Sequence, residues 1–162
     1  MISYYQILGN GLVKNGIIKY SGVPDSLLKH FCAYVSDNSK EGSHLITANE
    51  GSAISLAAGQ YVISGDPSLV YMQNSGFGNA LNPLLSLADP LVYGVPMIVM
   101  VGWRGEPGLK DEPQHIKQGA IMESLLDACD IPYYILDSSE ENVFEFIDRV
   151  TQHTKAKKCP VV

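Results

Sequence analysis

Along the chain, short runs of apolar residues alternate with longer stretches in which apolar positions recur every three or four residues. The short runs predict strands at Ile17–Tyr20, Leu45–Ala48, Leu69–Gln73, Met97–Gly102 and Tyr133–Asp137, with a sixth opening at Pro160–Val162. Most are near-continuously apolar, as expected for strands covered on both faces. The longer stretches predict helices at Ser3–Asn15, Asp25–Ser36, Asn49–Ser64, Asn79–Ala88, Ile116–Cys129 and Ser139–His153. Gly16 stands where a C′ glycine ends the first helix. The last helix has Ser138 as N-cap with Glu141 in the capping-box position. Lys155, Lys157 and Lys158 then lie at the negative end of its dipole. This alternation predicts a three-layer α/β/α domain built on a parallel sheet of about six strands.

Composition narrows the functions available. At 162 residues and 46% hydrophobic content, the chain has material for one core and one domain, residues 1–162. Seventeen Asp and Glu against eleven Lys and Arg give a net charge of −6, the wrong sign for a nucleic-acid binder. Cys32, Cys129 and Cys159 match no metal-ligand spacing and read as reduced thiols. The first residues carry no basic segment followed by an apolar one, and no apolar run approaches the ~20 residues of a membrane span. The expectation is a cytoplasmic protein without membrane contact. Its end, "KAKKCPVV", stops inside the opening of a strand. That predicts a piece of a longer polypeptide, or a subunit whose partner supplies the rest.

The polar residues gather after the strands. "SGVPDS" follows the first, "NEGS" the second, "NSGFGNALN" the third and "WRGEPGLKDEPQH" the fourth. In an open parallel sheet these junctions share one edge, at the carboxyl ends of the strands, where ligands bind. Asp25, Glu50, Asn74, Ser75, the amides of Gly76 and Gly78, Arg104 and His115 are therefore expected together. Between Lys40 and Arg104 there is no Lys or Arg, so Glu50 has no cation near it in sequence. The helices of that stretch are expected to cover both the core and a partner surface. A carboxyl group shielded there binds a proton more tightly than an exposed one and can share it with a ligand nitrogen. Plainer readings stand beside this one. Glu50 serves equally as a dipole partner in a first helical turn, "SGFG" as a turn, and "GVPD" as a helix start with Pro at N1. "GNG" at Gly9–Gly11 lies in a helical stretch and lacks the third glycine of a dinucleotide fingerprint. Neither a P-loop lysine nor a nucleophile elbow is present. His30, His44 and His153 read as structural.

Taken in order, "GVPDS", "NEGSAISLAAGQYVISGDPSLVYMQNSGFGNALNPL" and "VPMIVMVGWRG" resemble the pyrimidine-binding domain of thiamine-diphosphate-dependent 2-oxoacid decarboxylases. "GWRGEPGLKDEPQH" is most similar to the phosphonopyruvate decarboxylase branch, with the small subunit of sulfopyruvate decarboxylase as the alternative. The resemblance implies a thiamine-diphosphate-binding fold and carboxy-lyase chemistry. It implies that Glu50 hydrogen-bonds N1′ of the cofactor's aminopyrimidine and so activates the thiazolium carbon. It places Val23, Pro24 and Asp25 near the reacting centre, with Asp25 positioning substrate or relaying a proton. Asn74, Ser75, Gly76, Phe77 and Gly78 match the loop lying against the pyrimidine. His115 falls where some relatives place an active-site histidine. Arg104, or Lys110 in its stead, is our own choice as the donor fork for a phosphonate or sulfonate tail.

The family holds the diphosphate and Mg²⁺ in a second domain through a Gly-Asp-Gly motif. Here the nearest text is Gly65–Asp66–Pro67, on the wrong side of the fold. The chain alone is thus expected to be inactive. It should need a diphosphate-binding domain or subunit, and pair with a second copy through the cation-free helices. A non-catalytic nucleotide- or metabolite-binding module is the rival of a different class, and a Rossmann oxidoreductase is the weakest option.

Overall fold

The computed structural model describes residues 4–137 and 142–162, so Ser138 and Glu141 lie outside the described residues. In chain order the elements are α1 (Tyr4–Lys14), β1 (Tyr20–Gly22), α2 (Lys29–Asn38), β2 (His44–Ile46), α3 (Glu50–Ser64) and β3 (Ser68–Gln73). A 3₁₀ turn at Asn74–Gly76 leads into α4 (Phe77–Pro83), which continues through a π turn at Leu84–Ala88. Then follow β4 (Met97–Gly102), α5 (Pro113–Ala128), α6 (Val143–Lys157) and β5 (Pro160–Val161).

All five strands are parallel, in the order β2-β1-β3-β4-β5. Alternation along β3 divides the core. Leu69 and Tyr71 face α1, α2 and α6, whereas Val70 and Met72 face α3, α4 and α5. The strand order reverses between β1 and β3, which makes their carboxyl ends the switch point at which open α/β sheets bind ligands.

Several boundaries depart from the sequence reading for definable reasons. The sheet has five strands, not six: residues 131–137 form no strand. They join the sheet edge through two backbone bonds, Tyr134 N–H to Val162 O and Val162 N–H to Pro132 O, each 2.9 Å. With β5 only two residues long, there is little ladder for them to extend. β1 lies three residues late because its last two positions are Ser21 and Gly22, small residues that an apolar pattern overlooks. Ser21 is buried and donates to Ala53 O at 3.1 Å, tying β1 to α3. β2 is an edge strand, and Ile46 is 66% exposed rather than covered on both faces. α2 starts at Lys29, not Asp25, because the Asp25 carboxylate takes the amides of Leu27 and Leu28 in a turn ahead of the helix. Asn49 caps α3 by accepting from Ser52 N–H, and Asn142 caps α6 by accepting from Glu145 N–H. Gly16 has φ +81° after α1, and Lys155 and Lys157 occupy the last turn of α6.

The three histidines read as structural each pack on a tyrosine ring: His30 on Tyr5, His44 on Tyr71 and His153 on Tyr134. His44 bridges Tyr71 Oη (2.7 Å) and Ser36 Oγ (3.3 Å). Burial pushes the Tyr71 hydroxyl up to about 12, so the phenol stays protonated beside the ring, and the His44 tautomer sets which of the two donates. Burial also pushes the His44 imidazole below its ordinary value of 6.5. The unfolded chain therefore binds this proton more tightly than the folded one. The stability that neutral His44 contributes is complete above about pH 6.5 and is lost as the pH falls below it. Melting curves between pH 8 and pH 5 should show the wild type losing ground against His44→Gln; a constant gap would refute this.

Candidate functional site

Four loops meet at the carboxyl edge, and specific bonds join them. From β1, the Asp25 side chain turns inward and is 7% exposed. Its Oδ2 accepts from Leu27 N–H (3.0 Å) and Leu28 N–H (3.3 Å), and its Oδ1 from Gln73 Nε2 at 2.6 Å. Gly102, the last residue of β4, lies flush against it: a Cβ there would stand 2.3 Å from Asp25 Oδ2. Gln73 Oε1 in turn accepts from Ser75 Oγ at 2.5 Å.

Glu50 occupies the first position of α3 and is partly buried. Its Oε2 accepts from Asn79 Nδ2 at 2.9 Å. Its Oε1 rests against Gly76, where a Cβ would come within 2.0 Å of the oxygen. The carboxylate is thus gripped on one oxygen, while the other lies beside side-chain-free backbone and accepts no hydrogen bond among the described residues.

Other expected residues are committed elsewhere. Asn74 is buried and bonds the Arg104 backbone both ways, donating to its carbonyl at 2.8 Å and accepting from its amide at 3.1 Å. Phe77 is fully buried in the core beside Val70 and Met72. Val23 donates its amide to Tyr71 O at 3.1 Å, Pro24, Ser75 and Gly78 are exposed, and Gly76 is buried. The Arg104 fork, expected to be open to an anion, is filled by Asp111. Nε donates to Oδ2 at 2.8 Å and Nη2 donates to Oδ1, while Nη1 reaches Ser26 Oγ at 3.2 Å. Lys110 is exposed in the same loop, with no hydrogen bond or ion pair among the described residues. His115 sits half-exposed in the first turn of α5, its ring without a hydrogen bond among the described residues. No group of three or more His, Cys, Asp or Glu among the described residues has the arrangement of a metal site.

Gln73, Asn79, Ser26 and Asp111 were not selected from the sequence. Gln73 had a signal, a polar residue ending an otherwise apolar strand. Asp111 had only its place seven residues beyond Arg104.

Asp111 also accepts from the amides of Gly105 and Glu112, both at 2.7 Å, which closes residues 104–112 into a latched loop. The Arg104 hydrogen bond holds the Asp111 carboxyl well below the usual carboxylate range. A depressed value means that the latch is complete above about pH 4 and opens only on stronger acidification. Asp111→Asn should free the loop at neutral pH, seen as faster amide exchange at Gly105 and Glu112. Unchanged exchange would show the loop to be held by other means.

The chain that builds this edge has known relatives. Residues 2–130 match the model of the thiamine pyrophosphate enzyme N-terminal TPP-binding domain. The chain belongs to that family. It is 39% identical over 133 residues to a phosphonopyruvate decarboxylase of Streptomyces viridochromogenes, covering 81% of this chain and 32% of that protein. It is 32% identical over 133 residues to sulfopyruvate decarboxylase subunit alpha of Methanocaldococcus jannaschii, covering 82% of this chain and 75% of that subunit. Benzoylformate decarboxylase from Polynucleobacter necessarius has the same fold, with a TM-score of 0.75 over 99% of this chain and 29% of that one, at 21% identity. The chain spans about a third of the length of the phosphonopyruvate decarboxylases it matches. No helix among the described residues is long and apolar enough to cross a membrane.

Proposed function

We propose that this domain is the pyrimidine-binding half of a thiamine-diphosphate-dependent carboxy-lyase that converts phosphonopyruvate to phosphonoacetaldehyde and carbon dioxide. Sulfopyruvate is the second reading, supported by the 32% identity to a sulfopyruvate decarboxylase subunit alpha. The observation that carries the proposal is the Glu50 carboxylate, fixed by Asn79 on one oxygen and free to meet a ring nitrogen with the other. The cradle fits a flat heterocycle, because Gly76 presents no side chain beside that oxygen.

Thiamine diphosphate, when bound, supplies the electron sink for loss of carbon dioxide. The domain's own residues hold and aim. Glu50 keeps a proton shared with the pyrimidine nitrogen. Val23, Pro24, Ser75 and the backbone of Gly76 and Gly78 border the ring, while Asn74 and Phe77 set the loop from behind. Asp25 orients the substrate at the reacting centre, with His115 at the start of α5 as a further proton carrier. Lys110 is the available cation for the anionic tail, and Arg104 holds the loop that carries it. The diphosphate and Mg²⁺ belong to a second domain or subunit.

Self-association is also expected. The cation-free stretch exposes Ile46, Val62, Ile63, Leu91 and Tyr93, with Ile63 89% and Leu91 97% exposed. Sedimentation should show a dimer or larger, and a monomer at micromolar concentration would count against this. The activity is tested by supplying a diphosphate-binding domain with Mg²⁺ and measuring carbon dioxide released from phosphonopyruvate and from sulfopyruvate. Turnover of neither would defeat the proposal.

A further inference from the structure

Gln73 lies at the centre of a three-member chain that crosses two loops, and the chemistry of its ends fixes their direction. An ionised carboxylate only accepts, so the amide nitrogen of Gln73 must face Asp25 Oδ1, at 2.6 Å. Its carbonyl oxygen then faces outward and accepts from Ser75 Oγ at 2.5 Å. The order Ser75 to Gln73 to Asp25 leaves no alternative arrangement of the amide. Asp25 Oδ2 is already taken by the amides of Leu27 and Leu28, and Gly102 packs against it. Oδ1 is therefore the oxygen with a remaining lone pair, and among the described residues Gln73 is the side chain that bonds it.

We propose that Gln73 is a positioning residue: oriented by Ser75, it sets the direction in which Asp25 presents its one uncommitted lone pair to the substrate. The proposal rests on the reading of this edge as a decarboxylase half-site. It also accounts for a strand that ends in a partly buried Gln where every preceding residue is buried. Among the described residues, the charged and titratable groups that feel the Asp25 charge are Arg104, in the loop after β4, and Cys32, from α2. Neither gives a hydrogen bond from its side chain to Oδ1. Losing Gln73 would leave the carboxylate pinned on one oxygen and able to swing about it, an error of the size that misplaces a reacting partner.

Three substitutions test this. Gln73→Met keeps the side chain's length and removes both polar ends. In the enzyme assembled with its diphosphate-binding partner, it should lower kcat about tenfold to a hundredfold. KM should change less than about threefold, the signature of an interaction that matters in the transition state. Ser75→Ala, which removes the outer link while leaving the backbone beside the ring in place, should lower kcat by a smaller factor. Gln73→Glu, read without any activity assay, sets a carboxylate against a carboxylate. Such a pair shares one proton, bound more tightly folded than unfolded, so its stability is retained at low pH and lost as the pH rises. The melting temperature of Gln73→Glu should therefore fall by several degrees relative to wild type between about pH 5 and about pH 8. Parallel melting curves, or a Gln73→Met enzyme within about twofold of wild-type kcat, would overturn the assignment. Glu50→Gln judges the underlying reading independently: if that variant turns over normally, the half-site itself is wrong, whatever Gln73 does.

Discussion

An enzyme carrying Glu50→Gln is expected to lose at least about a hundredfold in turnover with its fold unchanged. Glutamine has the length of glutamate, and its carbonyl oxygen can still accept from Asn79, so the structural bond survives the exchange. Its place in the first turn of α3 loses only a favourable charge near the helix start, worth roughly 0.3–1 kcal/mol. An amide at the other position can neither hold nor return a proton. Carbon dioxide release at saturating substrate and cofactor, with a melting curve as control, makes the measurement. Activity within a few fold of wild type would remove Glu50 from the chemistry and leave it a helix-start residue.

Gly76→Ala should be nearly as damaging, by a different route. Gly76 has φ −84° and ψ −10°, a conformation open to any residue, so backbone strain does not explain the glycine. Space does. A methyl group at 76 would lie 2.0 Å from Glu50 Oε1 and 2.3 Å from its Cδ. Either the carboxylate swings away or the loop shifts. Overpacking of this kind costs about 1–3 kcal/mol, and turnover should fall along with it. A double variant, Gly76→Ala with Glu50→Ala, separates the two effects. It should regain stability beyond the sum of the single changes, because the clash has gone, while remaining inactive. Strict additivity would show that the two residues do not touch.

Much of this is legible in the residues alone. Strands buried on two faces announce themselves by continuous apolar runs, and Met97–Gly102 was placed without error for that reason. Parallel topology then puts the strand-end loops on one rim, which is why Asp25, Glu50 and Arg104, far apart in sequence, lie along the same edge. What composition and spacing do not encode is which polar group takes which. Arg104 looked available because its carboxylate partner, Asp111, sits in a stretch rich in charges of both signs. Asn74 looked like a ligand contact because nothing in "NSGFG" reveals that its amide meets a peptide thirty residues later. β1 was misplaced because Ser21 and Gly22 are buried for their smallness, a property that hydropathy does not register. Tyr133–Asp137 has the composition of a strand, but strands exist only through neighbours, and β5 supplies little ladder there.

The grip of Asn74 on Arg104 has a mechanical meaning. A side-chain amide bonded in both directions to the backbone of one residue mimics an extra rung of the sheet beyond the point where the sheet ends. The rim segments behind β3 and β4 are thereby yoked like two boards under a single cross-piece. Anything settling on one of them tilts both, so the mouth of this domain should stiffen or yield as a unit.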